Sequence, residues 1–334
     1  MKKFLAGALA AVMTVSLAAC GSSSTAETTA AETEAAEEST EAAESEEAAS
    51  EEIKTVEEGK LTVATSPDFA PYEFYAIDEN GDPQLAGFDM DLAQYIADYL
   101  GLELEVVPMD FDGTIMELSQ GNVDLGMAGY SPSPDREEVM DFSDIYISGG
   151  QSFVCLQDNA DKFTSLEDTN KPEYTIGAQV GAIQSDLAKQ YSPDADLIEM
   201  AKVTDIIADL RAGKMDGAYI ETMVAESYAK SYPELCVVLD VPYDAVGSVV
   251  GVSKGNTALL NGVNEAIHKC LDDGTFNEYV VKANELASGD IIEGLVDEAA
   301  EAETEATAET EAADTAEETE AEAAAEAETE AESK

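Results

Sequence analysis

Arg136 is the residue best suited to binding a ligand, because it is one of only two arginines in a chain with 72 acidic residues. Residues 123–128 before it form an apolar stretch that is typical of a strand. Ser133 and Pro134 then favour the start of a helix. The free N–H groups of a helix start and a neighbouring guanidinium both bind carboxylates. The sequence therefore predicts an anion site at Arg136, and an internal salt bridge is the alternative.

A second segment repeats the pattern beside this site. Residues 118–127 and 210–219 share the spacing Leu-x-x-Gly-x-apolar-Asp-x-x-apolar. Each is typical of a helix that a glycine ends before a strand begins. Chance similarity is one explanation, and a chain of two lobes built alike is the other. In the second case Glu221 follows the later strand, and ligands of open parallel sheets bind beyond the carboxyl ends of strands. A cleft with Arg136 on one side and Glu221 on the other would fit a zwitterion.

Strand and helix patterns alternate around both segments, with short connections. This alternation predicts parallel sheets flanked by helices. Two glycine-containing segments, residues 148–151 and 246–251, suit a pair of hinge strands between lobes. The predicted strands are residues 61–65, 102–108, 123–128, 175–178 and 217–220, and the predicted helices are residues 88–100, 112–120, 185–191, 204–212, 256–271 and 275–287.

The two ends of the chain differ in composition from its middle. Residues 1–19 combine two lysines with an apolar run, which is typical of a signal peptide. The sequence Leu-Ala-Ala-Cys-Gly around Cys20 resembles a bacterial lipobox and predicts a lipidated cysteine, with a chance cysteine as the alternative. Residues 20–58 and 291–334 are rich in Ala, Glu and Thr, so we expect a disordered acidic linker and a disordered acidic tail. Metal binding or protein docking by these segments is the alternative.

The composition also excludes several classes of function. Residues 59–290 hold 42 acidic and 12 basic side chains, so nucleic acid is not an expected partner.

Besides Cys20, the cysteines are Cys155, Cys236 and Cys270. Two of these could pair in an oxidising exterior, or all three could be buried free thiols. No group of residues has metal-site spacing, so we expect neither a metal nor a cofactor.

Three segments resemble the bacterial extracellular solute-binding proteins of family 3, the amino-acid receptors of ATP-driven importers. They are residues 128–136 with 141–144, residues 70–74 and residues 87–92, within a match over about residues 60–286. The resemblance implies an α/β fold of periplasmic-binding-protein type II, in which two Rossmann-like lobes joined by a two-strand hinge close over the ligand. Lobe 1 would comprise residues 59–150 and 247–290, and lobe 2 residues 151–246.

The resemblance also implies roles for single residues. Arg136 and the N–H of Ser131 would hold the α-carboxylate of an amino acid. The Gly129 carbonyl and Glu221 would hold its α-ammonium group. Ser66 stands where receptors for basic amino acids place an aspartate, which argues against a cationic ligand. The other implied lining residues are Phe69, Phe88, Ala128, Gln179, Ala182 and Ile183.

The leading functional prediction is a monomeric, lipid-anchored receptor on the outer face of the cell membrane. It would capture a small free amino acid and deliver it to the membrane permease of an ABC-type importer. A sensory ligand-binding module is one alternative, disfavoured because no signalling domain follows Asp290. A dehydratase-type enzyme on the same scaffold is the other, with Glu221 or Asp68 as proton donor. The enzyme is disfavoured because the cleft has no predicted histidine, nucleophile pair or metal cluster.

Overall fold

The computed structural model describes residues 53–78, 80–245 and 247–288. The predicted signal peptide, Cys20, most of the acidic linker and the acidic tail lie outside the described residues. Among the helices of the described part, none has the length and apolar character that crossing a bilayer requires.

The described residues form three sheets, eight α-helices and two 3₁₀ helices. The strands are β1 Lys60–Thr65, β2 Asp68–Phe69, β3 Glu73–Ile77, β4 Pro83–Ala86, β5 Glu103–Pro108, β6 Leu125–Tyr130, β7 Met140–Phe142, β8 Ile147–Ser148, β9 Gln151–Leu156, β10 Thr175–Gln179, β11 Asp196–Met200, β12 Gly217–Glu221, β13 Leu235–Val241 and β14 Gly247–Ser253. The α-helices are α1 Phe88–Leu100, α2 Phe111–Gln120, α3 Pro134–Glu137, α4 Ile183–Tyr191, α5 Val203–Arg211, α6 Thr222–Ser231, α7 Thr257–Asp272 and α8 Thr275–Ala287, and the 3₁₀ helices are Gln157–Lys162 and Leu166–Thr169.

The two larger sheets have the same plan. The first has the order β5-β1-β6-β14-β7, and the second has the order β11-β10-β12-β9-β13. In each sheet three parallel strands are followed by an antiparallel strand, β14 in the first and β9 in the second. The predicted pair of similar α/β lobes is therefore confirmed at the level of strand order.

The repeated sequence pattern has a physical role in both lobes. Gly121 and Gly213 end their helices with φ angles of 73° and 71°, a left-handed conformation that glycine adopts at low cost. The aspartate three residues later holds the neighbouring strand. Asp124 accepts a 2.9 Å hydrogen bond from the Thr62 N–H, and Asp216 accepts a 3.0 Å hydrogen bond from the Thr175 N–H. The pattern therefore fixes how each helix returns to its sheet.

The chain passes between the two sheets twice. It crosses between Ser148 and Gln151, and it returns between Val241 and Gly247. β8 pairs with the start of β14 on the first-lobe side, with Gly247 opposite Ser148. On the other side, Gln151 in β9 lies opposite Val241 in β13. The two crossings are thus held next to each other at both ends, as a two-strand hinge requires.

The small sheet β2-β3-β4 was not predicted from the sequence. Pro67 and Pro71 favour a loop here, because proline cannot donate a hydrogen bond to a neighbouring strand. β2 has only two residues, and Asp68 pairs with Phe74 while Phe69 pairs with Glu73. This hairpin places residues 68–73 against the carboxyl end of β6, where the candidate site lies.

Candidate functional site

A short helix positions Arg136. The strand β6 ends in Tyr130, and Ser133 is the N-cap of α3, with its hydroxyl oxygen 3.3 Å from the Arg136 N–H that donates to it. Pro134 occupies the first helical position, where its missing N–H costs nothing. The predicted helix start is confirmed, although the helix has only four residues.

Arg136 is 7% exposed, and its guanidinium joins the two lobes. Nη1 donates to the Ser131 carbonyl at 2.9 Å, and Nη2 donates to the Gly181 carbonyl of lobe 2 at 3.2 Å. The guanidinium carbon lies 5.3 Å from the centre of the Phe111 ring. Burial lowers the pKa of Arg136, but a guanidinium keeps its proton in a protein. Among the described residues no carboxylate forms a salt bridge with Arg136, so the structure offers no partner for the alternative interpretation.

Glu221 is the buried acid of lobe 2. It ends β12, is 2% exposed, and caps α6 by accepting a 2.9 Å hydrogen bond from the Val224 N–H to Oε2. Oε1 has no hydrogen-bond partner among the described residues. Burial raises the pKa of Glu221 to about 7, while nearby N–H groups and the Tyr72 hydroxyl oppose the shift. An unpartnered buried carboxylate oxygen is costly unless a donor reaches it.

Tyr72 stands next to Glu221, although sequence reasoning did not identify it as a site residue. A Cβ on Gly149 would lie 2.8 Å from Glu221 Oε1 and 3.5 Å from the Tyr72 hydroxyl, so both groups converge on this glycine. Ser248 donates a 3.3 Å hydrogen bond to the Tyr72 hydroxyl. The signal that could have identified Tyr72 is its place as an aromatic residue in the proline-containing segment 70–74, which also carries the family resemblance.

Gly129 lies near the end of β6, with its backbone close to the Phe69 ring. Its φ is 58°, and a Cβ there would stand 2.7 Å from Cε1 of Phe69. The Gly129 N–H donates to Asp89 Oδ2 at 3.2 Å, and the Tyr146 hydroxyl donates to Asp89 Oδ1 at 2.8 Å. Asp89 therefore fixes the end of β6, and only glycine fits against Phe69 at this backbone conformation.

The two predicted aromatic lining residues lie at different depths. Phe69 is 8% exposed and packs on Tyr72, with ring centres 5.4 Å apart. Phe88 is fully buried between Tyr72 and Phe276, with ring centres 4.5 and 5.8 Å away. Phe69 is thus adjacent to Gly129, whereas Phe88 supports Tyr72 from behind.

The predicted lobe 2 residues meet the first lobe near Arg136. Ala182 is the residue before α4, and it packs in one buried apolar cluster with Ala128, Phe111 and Tyr130 of lobe 1. Ile183 begins α4 and is 6% exposed. The structure therefore brings Ala128, Ala182 and Ile183 to the Arg136 side of the site.

Asp68 forms a second connection between the lobes, which sequence analysis missed. Its carboxylate accepts hydrogen bonds from the Ser66 hydroxyl at 2.8 Å, from Gln179 Nε2 at 3.1 Å and from the Val203 N–H. Val203 is the first residue of α5, so a helix N-terminus of lobe 2 points at a carboxylate of lobe 1. Burial raises the pKa of Asp68 to about 6, and the hydrogen bonds from the Val203 N–H and the Ser66 hydroxyl oppose this shift.

The interior behind the site is acidic. Glu73 is fully buried, and neither of its carboxylate oxygens has a hydrogen-bond partner among the described residues. Burial and the neighbouring Asp89 and Asp68 raise the pKa of Glu73 well above its usual value. Burial also raises the pKa of Asp89 to about 6. A positive charge is therefore better accommodated here than another negative one.

A groove of about 490 Å³ flanks the site on the side of Ile183. Asp135, Asp186 and Tyr243 are among its lining residues, and Glu221 is not. The Tyr243 hydroxyl donates a 2.9 Å hydrogen bond to the Pro132 carbonyl and spans the lobes at this edge. Arg136 does not line the groove either, so the site is defined by the buried polar residues between the lobes.

This arrangement combines two complementary charges in a cleft between lobes. A fixed guanidinium suits a carboxylate, and the unpartnered oxygen of Glu221 suits an ammonium group. A carboxyl group with a pKa near 7 also suits proton transfer. No group of described residues has the arrangement of a metal site.

The comparison with known families agrees with this geometry. Residues 61–283 match the family of bacterial extracellular solute-binding proteins, family 3. The chain belongs to this family. Its extracytoplasmic location follows from that membership, and the fold is the two-lobe α/β fold of type II periplasmic binding proteins. The predicted family and fold class are confirmed.

Three relatives illustrate the range of this scaffold. The arginine-binding extracellular protein ArtP of Bacillus subtilis is 31% identical over 278 residues, which cover 82% of this chain and 94% of that protein. The crystal structure of the amino acid ABC transporter substrate-binding protein AbpA from Streptococcus pneumoniae, bound to L-arginine, is 30% identical with a TM-score of 0.67 and covers 70% of this chain and 97% of that chain. Cyclohexadienyl dehydratase of Pseudomonas aeruginosa is 29% identical over 185 residues, covering 55% of this chain and 68% of that enzyme. Binding proteins and an enzyme thus share this fold.

Proposed function

We propose that the chain is an amino-acid receptor that closes its two lobes over the ligand. Arg136 and the Ser131 N–H bind the α-carboxylate, and Glu221 with the Gly129 carbonyl binds the α-ammonium group. The observation that carries this proposal is the pairing of a buried guanidinium with the unpartnered Glu221 Oε1 on opposite lobes. Lobe 1 is assigned residues 59–150 and 247–290, and lobe 2 residues 151–246, in line with the two large sheets.

The ligand class follows from the surrounding charge. Besides Glu221, Asp68 and Asp89 are buried acids of this region with pKa values of about 6, so they carry negative charge at neutral pH and favour an amino acid with a cationic side chain as the ligand. The arginine-binding name of ArtP and the L-arginine bound in the AbpA crystal structure point the same way. Ser66 in place of an aspartate is the contrary signal. Its hydroxyl donates to Asp68, so a carboxylate lies next to that position.

The proposed cellular role is based on membership of the family and on the N-terminal sequence. The receptor delivers its ligand to the membrane permease of an ABC-type importer and acts as a monomer. Residues 1–19 are the signal peptide, and a lipid on Cys20 holds the protein at the outer face of the cell membrane. Metabolic labelling with a fatty-acid analogue tests this anchor: Cys20→Ala abolishes the label, and label retained in that variant contradicts the assignment.

A thermal-shift screen tests the ligand class. The full chain is screened against the twenty amino acids and cystine. A ligand at 100 times its dissociation constant stabilises the folded state by about 2.7 kcal/mol, which is readily measured. Arginine and lysine are expected to give the largest shifts. If no amino acid raises the melting temperature, the receptor proposal is wrong, and a shift with neutral amino acids alone contradicts only the cationic class.

A dehydratase-type enzyme is the second candidate. It is favoured by the pKa of Glu221 near 7 and by the dehydratase relative. The test is incubation with a cyclohexadienyl acid and detection of an aromatic product by ultraviolet absorption. We expect no turnover above that of a Glu221→Gln control.

A further inference from the structure

Cys155 and Cys236 lie directly opposite each other on neighbouring strands of the second sheet. Cys155 is in β9, Cys236 is in β13, and the antiparallel register pairs the two residues. Their sulfur atoms are 3.8 Å apart. Side chains of directly opposed residues leave the same face of a sheet, so the two thiols share one environment. Cys270 lies far from them in sequence and structure, in α7 of the other lobe.

The backbone positions already suit a covalent link. Opposed residues in antiparallel strands have Cα atoms about 4.5–5.5 Å apart. Disulfides are found at Cα separations of roughly 4.4–6.8 Å. A rotation of the Cys155 and Cys236 side chains is therefore enough to bring the sulfur atoms into bonding distance, without movement of either strand.

The surroundings favour the oxidised form once it is made. Cys155 is fully buried and Cys236 is partly exposed, so one sulfur is protected and the other is accessible. Burial raises the pKa of the Cys155 thiol to about 12 and also raises the pKa of Cys236. Thiolates are therefore disfavoured at this site, and a disulfide whose departing thiols have high pKa values is reduced slowly. The family is extracellular, and disulfides persist in oxidising exteriors.

We propose that Cys155 and Cys236 form a structural disulfide in the mature protein. A disulfide oxidant, such as a thiol–disulfide oxidoreductase or oxidised glutathione, supplies the oxidising equivalents. The accessible Cys236 thiolate attacks the oxidant, which releases one thiol and leaves a mixed disulfide on Cys236. Cys155 then loses its proton and attacks the Cys236 sulfur, and the second thiol departs. Two protein thiols become one sulfur–sulfur bond, and the oxidant becomes two thiols.

The link acts on the two strands that lead to the hinge. β9 begins directly after the first crossing, and β13 ends directly before the second. The β9–β13 pairing has an irregular register between Val237 and Leu239, immediately beyond Cys236. A disulfide at this pair fixes the register on one side of that irregularity. The second lobe then moves as one body when the hinge bends.

The experiment counts and locates the thiols. The full chain is incubated with oxidised glutathione, free thiols are alkylated in denaturant, and the digest is analysed by mass spectrometry. The expected result is a linked peptide pair containing Cys155 and Cys236, with Cys270 alkylated. Recovery of Cys155 and Cys236 as alkylated thiols, or a link that uses Cys20 or Cys270, overturns the proposal.

Thermal unfolding gives the matched control. A reducing agent is expected to lower the melting temperature of the oxidised wild-type chain and of the Cys270→Ser variant by several degrees. The Cys236→Ser variant is expected to show no response to reductant. A response that survives in Cys236→Ser, or one that disappears in Cys270→Ser, contradicts the assignment of the pair.

Discussion

Arg136 and Glu221 are both buried, but burial affects their charges differently. The guanidinium keeps its proton throughout the physiological range, even though burial lowers its pKa. The carboxyl group of Glu221 has a pKa raised to about 7, so its charge changes in that range. If both bind one zwitterion, the ligand's carboxylate meets a constant charge and its ammonium group meets a variable one.

Replacing Arg136 tests the carboxylate end of the site. Arg136→Ala is expected to weaken amino-acid binding at least about thirtyfold, because truncating a desolvated charge partner costs about 2–5 kcal/mol. Isothermal titration calorimetry measures the change. Arg211→Ala is the control, since Arg211 pairs with Glu234 away from the cleft. Wild-type affinity in Arg136→Ala would remove the carboxylate role.

The pH dependence of affinity tests the ammonium end. The ligand's ammonium group favours the ionised form of Glu221, so binding releases a proton from this residue below pH 7. The association constant is expected to rise between pH 5 and 7, by at most about tenfold per unit, and to level off above pH 7. Calorimetry across this range measures the profile. In Glu221→Gln the slope should be smaller, with Asp68 and Asp89 accounting for the remainder, and an unchanged slope in this variant rules out Glu221 as a source.

The site features that could be predicted from the sequence depend on contacts between residues close in the chain, whereas those that were missed depend on contacts between distant residues. Ser133 and Pro134 were found because capping and proline preferences act within one turn. The contact of Asp68 with Val203 and the position of Tyr72 beside Glu221 were missed because the partners are more than 130 residues away in sequence. Their roles arise only when the lobes meet, which no local pattern encodes.

Gly129 and Gly121 have similar backbone conformations but different surroundings. Comparing them distinguishes the cost of the backbone conformation from the cost of a side-chain contact. Gly129 has φ 58° at the end of β6, and Gly121 has φ 73° after α2. A Cβ on Gly129 would contact Phe69, whereas a Cβ on Gly121 would meet nothing within 4 Å. Position 121 therefore reports the cost of the backbone conformation alone.

Alanine at each position gives a matched pair. Both Gly129→Ala and Gly121→Ala are expected to lose about 1–2 kcal/mol of unfolding free energy from the left-handed conformation. Only Gly129→Ala is also expected to bind ligand at least tenfold more weakly, because its Cβ displaces Phe69. Urea unfolding and calorimetry measure the two effects. Equal affinities in the two variants would show that Phe69 and Gly129 do not shape the site.

The elements themselves were largely predictable where a helix or strand is long and has a clear stop signal. α1 was predicted correctly because its apolar spacing is regular and Gly101 ends it. The strands β2, β3, β4, β7, β11 and β13 were not predicted. β2 has two residues, and β11 carries partly exposed residues without alternation, so neither gives a period-two signal.

For the molecule as a whole, the buried carboxyl groups make stability depend on pH. Asp68, Asp89 and Glu221 have folded-state pKa values of about 6, 6 and 7, above the ordinary values of 3.8 and 4.5. The folded protein then binds more protons than the unfolded chain, so unfolding free energy falls as pH rises through this window. Carboxylates with lowered pKa values, such as Asp141, give their full stabilisation above about pH 4.5 and do not oppose the trend there.

The expected result is a decrease in unfolding free energy between pH 5 and 8 without ligand. Glu221 alone contributes on the order of 3 kcal/mol, since one unit of pKa difference corresponds to about 1.4 kcal/mol. Guanidinium chloride titrations at fixed ionic strength measure the change. Glu221→Gln should reduce the slope. Stability that rises with pH in this window would mean that these carboxyl groups are ionised in the folded protein.

The hydrogen bonds of Asp68 to Gln179 and Val203 have a consequence for the timing of release. They join the lobes through protein groups alone, so opening must break them whichever ligand is bound. Two ligands of unequal affinity then share one slow step, and their residence times differ less than their dissociation constants. During delivery to a permease, the lifetime of the ligand-bound closed form is therefore set partly by the Asp68 carboxylate and a helix N-terminus, and not by the ligand alone.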